Sequence, residues 1–294
     1  MERWQILVNP HAGRSTHLGD AVSAGVRDRG LDAGIHVTAS VEDLVATTTA
    51  AADEGIRSFA AVGGDGTAHH MVDTLMARGD DAVYQFAMIP KGSGSDFVRT
   101  YAHDGDLDRG LDRLVHPDPY RIDVGTISGA FGTRHFINAC NVGVAAASVR
   151  TAERLPRAMG PIRYSTAFWL TLGRFPQRAV EVDIDHHRFT GDAINVVVAN
   201  GQFFGGGLNV APRATMVDGV FDVLVFSGAR SNAFTVMPRM LIGSHLTHRA
   251  VRRYIGSTVH IEADPAWPVE ADGEVLGTGP VTIGILPRAI DYVL

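Results

Sequence analysis

The sequence predicts an α/β N-terminal domain with a parallel sheet, followed by a mainly antiparallel β-sandwich C-terminal domain. From residue 4 to about residue 125, short apolar runs alternate with stretches of helical periodicity, which is typical of a parallel sheet with helices on both faces. Beyond that point apolar runs follow one another, as they do in antiparallel sheets. At 294 residues the chain is also long for one compact domain. We therefore place the domains at residues 1–125 and 126–294, and allow the last strand to pack back on the first domain.

The first half contains predicted strands and helices in strict alternation. Leu18, Val22 and Val26, for example, recur at the spacing of one helical face. The predicted strands are WQILV, GIHVTA, SFAAV and QFAMIP, and the predicted helices cover residues 17–29, 41–54, 67–78 and 95–102. Since each strand is followed by a helix, the carboxyl ends of the strands should meet at one edge of the sheet, where ligands bind in such folds.

The second half is predicted as a series of strands with two helical inserts. In AVEVDID, the apolar Val180, Val182 and Ile184 alternate with acidic residues, as in a half-exposed antiparallel strand. Further strands are predicted at AINVVVAN, GVFDVLVF, STVHIEA and VTIGIL, and the inserts near 150–175 and 231–247. This series favours a β-sandwich.

Composition excludes several classes of protein. The net charge of -6 argues against a general nucleic-acid binder. Cys140 is the only cysteine, so an internal disulfide is excluded, and its apolar surroundings in FINACNVGV predict a buried residue rather than a nucleophile. No stretch approaches the roughly 18 to 20 apolar residues of a membrane span, and the start MERWQILVNP lacks the features of a signal peptide. We expect a cytoplasmic protein, either soluble or peripheral at the inner face of the membrane.

The loop GGDGT follows the predicted strand SFAAV and precedes a predicted helix. Its glycines at 63, 64 and 66 permit positive φ and close approach of backbone N–H groups to a phosphate, and a helix beginning near Thr67 adds positive potential. Asp65 would repel phosphate unless a cation stands between them, and Mg²⁺ is the obvious cation. The alternative is a tight turn in which Thr67 caps the helix.

Two further strand ends favour the phosphate-binding interpretation. LVNPHAG (7–13) is a strand followed by a turn of small residues with Arg14 behind it, and IPKGSGSDF (89–97) is a strand followed by glycines, serines and Asp96. A nucleoside triphosphate with Mg²⁺ accounts for all three turns together. Neither a Walker A loop nor a G-x-G-x-x-G fingerprint is present, so the class of enzyme depends on other motifs.

The order of motifs along the chain resembles that of a known enzyme family. NPHAG, GGDGT, PKGSGSDF, NGQFFGGG, APRATMVDGVFDV and ADGE follow one another in that order. This series resembles the diacylglycerol kinase catalytic family, which includes sphingosine kinases and bacterial lipid kinases, and the resemblance covers nearly the whole chain. It implies an NAD kinase/diacylglycerol kinase-like fold, with ATP bound in a cleft between a nucleotide-binding domain and a lipid-substrate domain, and transfer of phosphate to a lipid hydroxyl.

The resemblance also implies roles for individual residues. The ATP site would be lined by Asn9, Pro10, His11, Ala12, Gly13, Arg14, Thr38, Gly64, Asp65, Gly66, Thr67, Ala68, His69, His70 and Ser93. The catalytic Mg²⁺ would be held by Asp65, Asp96 and Asp123. A second, structural Mg²⁺ would be held by Thr215, Asp218 and Val220. The proton acceptor for the attacking hydroxyl would be either Asp272 or Glu274 in the turn ADGE, since a free alcohol is a poor nucleophile and a carboxylate is the expected base.

Four positions depart from the family pattern. Ser93 and Ser95 stand where the family usually has Thr and Asn, and His69 and His70 stand where it usually has Asn and Glu. Protonated histidines at a helix start would favour phosphate. Metal ligation by this pair is disfavoured because adjacent helical positions point about 100° apart. We interpret both histidines as ordinary surface residues or residues behind the site.

The sequence gives fewer indications of where a lipid substrate would bind. Residues 150–178 mix aromatic and aliphatic residues with arginines, and 245–253 is a second basic stretch. The first segment is either an interfacial segment, the rim of an acyl-chain pocket, or a core-facing helix with solvated arginines. The glycines at 205–207 either let substrate approach the backbone or form a bulge.

The sequence thus predicts an ATP- and Mg²⁺-dependent kinase of diacylglycerol or a related lipid alcohol. Its expected partners are the lipid substrate and an anionic membrane, with no nucleic acid, and a homodimer is compatible with the sequence. Two alternatives stay open. One is an NAD kinase-like phosphotransferase acting on a soluble substrate, and the other is a catalytically silent protein that binds nucleotide or lipid.

Overall fold

The computed structural model describes residues 3–13, 17–91, 95–101, 105–156, 159, 162–263 and 267–294. The chain divides into two compact units. One comprises residues 1–122 together with 288–294, and the other comprises residues 123–287.

The N-terminal unit is a parallel sheet with helices. Its strands are β1 (Trp4–Val8), β2 (Ala33–Val37), β3 (Ser58–Gly63) and β4 (Gln85–Pro90), and its helices are α1 (Leu18–Asp28), α2 (Val41–Asp53), α3 (Asp65–Ala77), α4 (Asp96–Arg99) and α5 (Leu107–Val115). β1 pairs in parallel with β2 and β3, and β3 pairs in parallel with β4. Asp291 and Tyr292 near the C-terminus pair in parallel with Gln85 and Phe86.

Both faces of this sheet carry helices. Ile6 and Val8 of β1 pack in one apolar cluster with Val22 of α1 and Leu111 of α5. The chain runs from β1 outward to β2 and back past β1 to β3, so right-handed connections place α1 and α2 on opposite faces. The carboxyl ends of β1 to β4 therefore share one edge of the sheet, as the alternation in the sequence predicts.

Two details of this unit differ from the sequence-based prediction. α3 begins at Asp65 rather than near Thr67. α5 was not predicted, although Leu107, Leu111 and Leu114 have helical spacing. The Asp106 side chain accepts the Arg109 N–H at 3.0 Å and so caps this helix, which is a signal that the sequence carried.

The C-terminal unit consists mainly of antiparallel strands. From β5, which begins in the N-terminal unit, the strands are β5 (Pro119–Gly129), β6 (Gly132–Phe136), β7 (Ala139–Gly143), β8 (Arg178–Ile184), β9 (His187–Ala199), β10 (Phe203–Phe204), β11 (Leu208–Asn209), β12 (Phe221–Ser227), β13 (Val251–Gly256), β14 (Thr258–Glu262), β15 (Pro268–Ala271), β16 (Glu274–Thr278) and β17 (Val281–Val293). The helices are α6 (Val144–Glu153), α7 (Ile162–Leu172) and α8 (Ala233–Met240), with 3₁₀ turns at Arg230–Asn232 and His245–Thr247.

The strand order is β16-β15-β7-β9-β8-β14-β17, and β12 pairs with both β9 and β13. The long strand β9 pairs along its first half with β8 and along its second half with β7 and β12. In β8, Val180, Val182 and Ile184 are buried between half-buried acidic residues, as predicted. The predicted fold class, an α/β domain followed by an antiparallel β-sandwich, is confirmed.

The helical inserts differ in detail from the prediction. The insert expected near 150–175 is two helices, α6 and α7, and α6 already begins at Val144. Gly143 has φ +125° and a Cβ there would lie 2.5 Å from the Ile194 carbonyl oxygen, so this helix start requires glycine. Among the described residues, no helix is long and apolar enough to cross a membrane.

The three glycines at 205–207 all have positive φ and form the turn between β10 and β11. They therefore close a short hairpin and do not form the bulge that was one of the two predicted alternatives.

Candidate active site

The ends of four parallel strands meet at one edge of the N-terminal unit. Asn9 follows β1, and its backbone N–H donates to the Val62 carbonyl at 2.9 Å. Its side-chain amide donates to the Thr67 hydroxyl at 3.3 Å. The Lys91 N–H, after β4, donates to the Gly63 carbonyl at 2.8 Å. These bonds join the NPHAG, GGDGT and PKGSGSDF loops, so the structure brings three of the predicted motifs together.

The NPHAG turn is organised by Asn9. The His11 N–H donates to the Asn9 Oδ1 at 2.9 Å, and the Ala12 N–H donates to the Asn9 carbonyl at 3.1 Å. Gly13 has φ +78°, which favours glycine. Thr38, after β2, is buried, and its hydroxyl donates to the Val8 carbonyl at 3.3 Å. The predicted ATP-site residues Arg14 and Ser93 lie outside the described residues.

The glycines of GGDGT matter because they lack a side chain, not because of their backbone conformation. Neither Gly63, Gly64 nor Gly66 has positive φ, which corrects the expectation from the sequence. A Cβ on Gly63 would lie 2.5 Å from the Thr67 hydroxyl, whereas a Cβ on Gly64 would enter open space. Gly64 is the N-cap of α3, so Thr67 is not the cap. The helix start therefore presents bare backbone and positive potential to open space, which suits an anion.

Asp65 connects α3 to α4. Its carboxylate accepts the backbone N–H of Asp96 at 2.7 Å and that of Phe97 at 3.4 Å. The Asp96 carboxylate lies 3.5 Å from the Arg99 guanidinium. The structure thus brings Asp65 and Asp96 together and gives Asp65 a helix-capping role.

Three of the four positions that depart from the family pattern, Ser95, His69 and His70, are buried or half-buried. The buried Ser95 hydroxyl has no hydrogen-bond partner among the described residues. His69 is buried in α3 and packs edge-to-face on the half-buried His70, with ring centroids 5.2 Å apart. Of the two alternatives for His69, burial rules out a surface residue and leaves a residue behind the site, because α3 turns this position into the domain.

Asp123 is fully buried in the C-terminal unit and is held by the 216–219 loop. Its N–H donates to the Met216 carbonyl at 2.7 Å, and its carboxylate accepts the Gly219 N–H at 2.8 Å. Asp218 closes the loop by accepting the Val220 N–H at 3.3 Å. The structure thus joins Asp123 to the loop predicted for the second Mg²⁺.

The charges of this loop fit a cation. Desolvation raises the pKa of Asp218, and the nearby Asp123 carboxylate raises it further. Two carboxylates with loop carbonyls are the oxygen donors that Mg²⁺ prefers. Among the described residues, no three His, Cys, Asp or Glu side chains converge on one point, so a Mg²⁺ here would also need carbonyl or water ligands.

The ADGE motif is a two-residue hairpin between β15 and β16. Asp272 and Gly273 both have positive φ, at 49° and 89°, as a type I′ turn requires. The Asp272 carboxylate accepts the N–H groups of Ile137, Asn138 and Ala139 at 2.8, 2.9 and 3.0 Å. Asp272 therefore holds the turn against the start of β7. Glu274, which follows the turn, is half-buried.

Sequence reasoning missed two buried polar residues around this site. The Asn200 side chain donates to the carbonyls of Asp123 and Ile137 at 2.9 and 2.8 Å. Glu270 is buried, accepts from the Asn141 amide, and accepts the Gly273 N–H at 2.7 Å. The sequence carried one signal for such residues, namely polar residues within apolar, strand-like stretches. A polar group buried in this way needs hydrogen-bond partners.

Cys140 is buried in β7, as predicted. Burial raises the pKa of its thiol well above the usual range, and the Glu270 and Asp272 carboxylates add to the shift. The thiol is therefore an inert core group rather than a nucleophile.

Known proteins match nearly the whole chain. The diacylglycerol kinase catalytic domain matches residues 3–127, and the YegS C-terminal NAD kinase beta sandwich-like domain matches residues 138–294. A "Probable lipid kinase YegS-like" protein of Shewanella frigidimarina is 24% identical over 294 residues, which are 99% of this chain and 93% of that protein. One of the same name from Stenotrophomonas maltophilia is 27% identical over 254 residues, 81% of this chain and 78% of that protein.

A solved structure of a diacylglycerol kinase from Bacillus anthracis has the same fold. Its TM-score is 0.76 at 20% sequence identity, and the match covers 99% of this chain and 96% of that one. The two domain matches show that the chain belongs to the family of kinases that carry a diacylglycerol kinase catalytic domain followed by the YegS C-terminal NAD kinase beta sandwich-like domain.

Proposed function

We propose that the protein transfers the γ-phosphate of ATP, with Mg²⁺, to the hydroxyl of diacylglycerol or a related lipid alcohol. The observation that carries this proposal is the joining of the NPHAG and GGDGT loops by Asn9 and Thr67 beside the open helix start at Gly64. Phosphoryl transfer mainly requires positioning of phosphates and neutralisation of their charge. A hydrogen-bonded loop pair beside a helix start that is open at Gly64 meets the first requirement.

The N-terminal unit would bind the nucleotide phosphates. Gly64 leaves room for them at the start of α3, where the helix dipole adds positive potential. The Ser95 hydroxyl, and those of Ser93 and Thr67, are the side-chain donors in the same loops. The predicted ATP-site set otherwise stays a prediction.

Two pairs of carboxylates would hold Mg²⁺. Asp65 and Asp96 lie together in the N-terminal unit, and Asp123 and Asp218 lie together in the C-terminal unit. When bound, Mg²⁺ neutralises charge on the transferring phosphoryl group. Thr215 and Val220 would contribute carbonyl oxygens at the second position.

Glu274 is the better candidate for the proton acceptor. Asp272 accepts three backbone N–H groups, so its carboxylate is committed to holding the turn. Glu274 begins β16 directly after this turn and is half-buried. We infer that Asp272 positions the turn and that Glu274 takes the hydroxyl proton.

The test is incubation of the protein with γ-labelled ATP, Mg²⁺ and a panel of lipid alcohols in mixed micelles, with NAD as the soluble control. Label in the organic phase supports the lipid kinase and names its substrate class. Label on NAD alone overturns the lipid assignment in favour of a soluble acceptor. ATP binding without any transfer favours the catalytically silent alternative. Omission of Mg²⁺ should abolish transfer.

A further inference from the structure

Large apolar side chains are exposed on two helical segments of the C-terminal unit. Phe234 of α8 is 67% exposed, and Leu241 and Ile242, which follow α8, are 65% and 78% exposed. Trp169 and Leu170 of α7 are exposed as well. We call these five residues the apolar platform. Exposed side chains of this size and number in one region mark a surface that contacts an apolar partner.

The two helices form one surface at this point. The rings of Trp169 and Phe234 stack with their centroids 4.8 Å apart and an interplanar angle of 21°. Nearby, the Arg230 guanidinium donates to the Gly173 carbonyl at 2.9 Å. An aromatic contact between residues 65 positions apart in sequence and a hydrogen bond between residues 57 positions apart therefore hold the two segments together.

The sequence segments that carry the platform are rich in arginine. The chain carries a net charge of -6, yet residues 154–180 and 223–261 contain ten arginines and no aspartate or glutamate. Arg174 and Arg239, which flank the platform in sequence, are exposed. An apolar surface with a basic surround matches an anionic bilayer, in which apolar side chains enter the acyl region and arginines meet lipid phosphates.

We propose that the apolar platform docks the protein on an anionic lipid bilayer. The proposal rests on the proposed lipid kinase function, because a substrate dissolved in a membrane requires the enzyme to approach that surface. A second copy of the chain is a poorer occupant, since two such faces would bring arginines against arginines.

Tryptophan fluorescence gives a direct test. Trp4 and Trp267 are each 1% exposed, whereas Trp169 is 37% exposed, so a change in emission on adding vesicles reports on the platform. With vesicles of phosphatidylglycerol and phosphatidylcholine in equal parts, the emission should shift to shorter wavelength and acrylamide quenching should fall. Trp169→Phe should remove both changes. An unchanged spectrum at low salt with wild-type protein would overturn the proposal.

The second test measures flotation with the same vesicles. The variant Phe234→Ser/Leu241→Ser/Ile242→Ser should lower the bound fraction by about tenfold or more, and Arg239→Glu should also weaken binding, with the remaining binding decreasing as salt rises. Val83→Ser, at an apolar position that is 45% exposed in the N-terminal unit, is the control and should bind as wild type does. Equal loss in the control, or none in the triple variant, contradicts the platform.

Two further measurements, of phosphate transfer and of oligomeric state, distinguish membrane docking from catalysis and from self-association. The triple variant should phosphorylate a lipid alcohol presented in detergent micelles as wild type does, and lose transfer only on vesicles. Vesicle binding by a wild-type protein that transfers no phosphate would support docking and reject the kinase proposal. A wild-type dimer that the triple variant converts to monomer, without vesicle binding by either, would show a self-association face and overturn the proposal.

Discussion

The Asp65 carboxylate accepts the backbone N–H of Asp96 at 2.7 Å, so the one carboxylate of the GGDGT loop also caps α4. A residue proposed to act through Mg²⁺ thus has a structural role as well. The two roles depend on different properties, since capping needs only an acceptor oxygen, whereas metal binding needs the negative charge.

Substitution of Asp65 should separate these roles. Asp65→Asn keeps an acceptor oxygen, so its unfolding free energy should stay close to wild type while phosphate transfer falls by about a hundredfold or more. Asp65→Ala should lose activity and also about 1 kcal/mol of stability, because the cap is gone. Denaturant unfolding and the labelled-ATP assay measure the two effects. Near-normal transfer by Asp65→Asn would remove the carboxylate from the mechanism.

Gly64→Ala should weaken ATP binding without affecting the fold. The backbone there has φ -102°, which alanine adopts, and the added Cβ would enter open space. The methyl group would occupy the volume assigned to phosphate, so we expect the KM for ATP to rise by about tenfold or more, while the free energy of unfolding falls by about 1 kcal/mol or less because alanine is a poorer N-cap than glycine.

Gly63→Ala provides the contrast at the adjacent position. Its Cβ would lie 2.5 Å from the Thr67 hydroxyl, so this variant should be less stable. An unchanged KM in a folded Gly64→Ala protein would show that phosphate does not bind at this helix start.

Glu274→Gln and Asp272→Asn should fail for different reasons. Glu274→Gln should lower turnover by roughly 10² to 10⁴-fold at unchanged stability and ATP affinity, because the proton acceptor is lost. Asp272→Asn should cost about 2 kcal/mol of stability, since an amide cannot accept from all three N–H groups that the carboxylate satisfies. Glu262→Gln, at an exposed carboxyl on β14, is the control. A fully active Glu274→Gln protein would reject the assignment.

Asp218 should make stability depend on pH and Mg²⁺. Its pKa is raised in the folded protein from the ordinary 3.8, so the folded state holds the proton more tightly than the unfolded state. Its contribution to stability is therefore most favourable below pH 3.8 and declines as the pH rises through the folded pKa. At pH 7 in EDTA, Asp218→Asn should have a higher Tm than wild type.

Addition of Mg²⁺ should raise the Tm of wild type and leave that of Asp218→Asn nearly unchanged, because only wild type has the unfavourable charge that the cation neutralises. Thermal unfolding with and without Mg²⁺ measures this. An equal rise in both proteins would place the bound cation elsewhere.

Much of the fold could be predicted from sequence because its signals are local. The alternation in the first half and the two-residue period of β8 gave the fold class, and the strand-to-helix turns located the candidate nucleotide loops. The start of α3 was placed two residues late, because Gly64 caps it through its backbone and leaves no side-chain signal. α5 was overlooked in spite of its apolar spacing.

The sequence by itself determined the two-part fold, the order of the motifs and the family. The tertiary structure alone decided which backbone groups meet which side chains. Asp272 accepts N–H groups more than 130 residues away, and Trp169 stacks on Phe234 from another helix. The physical reason is that periodicity is encoded among neighbours in the chain, whereas these contacts arise only when strands and helices distant in sequence pack together.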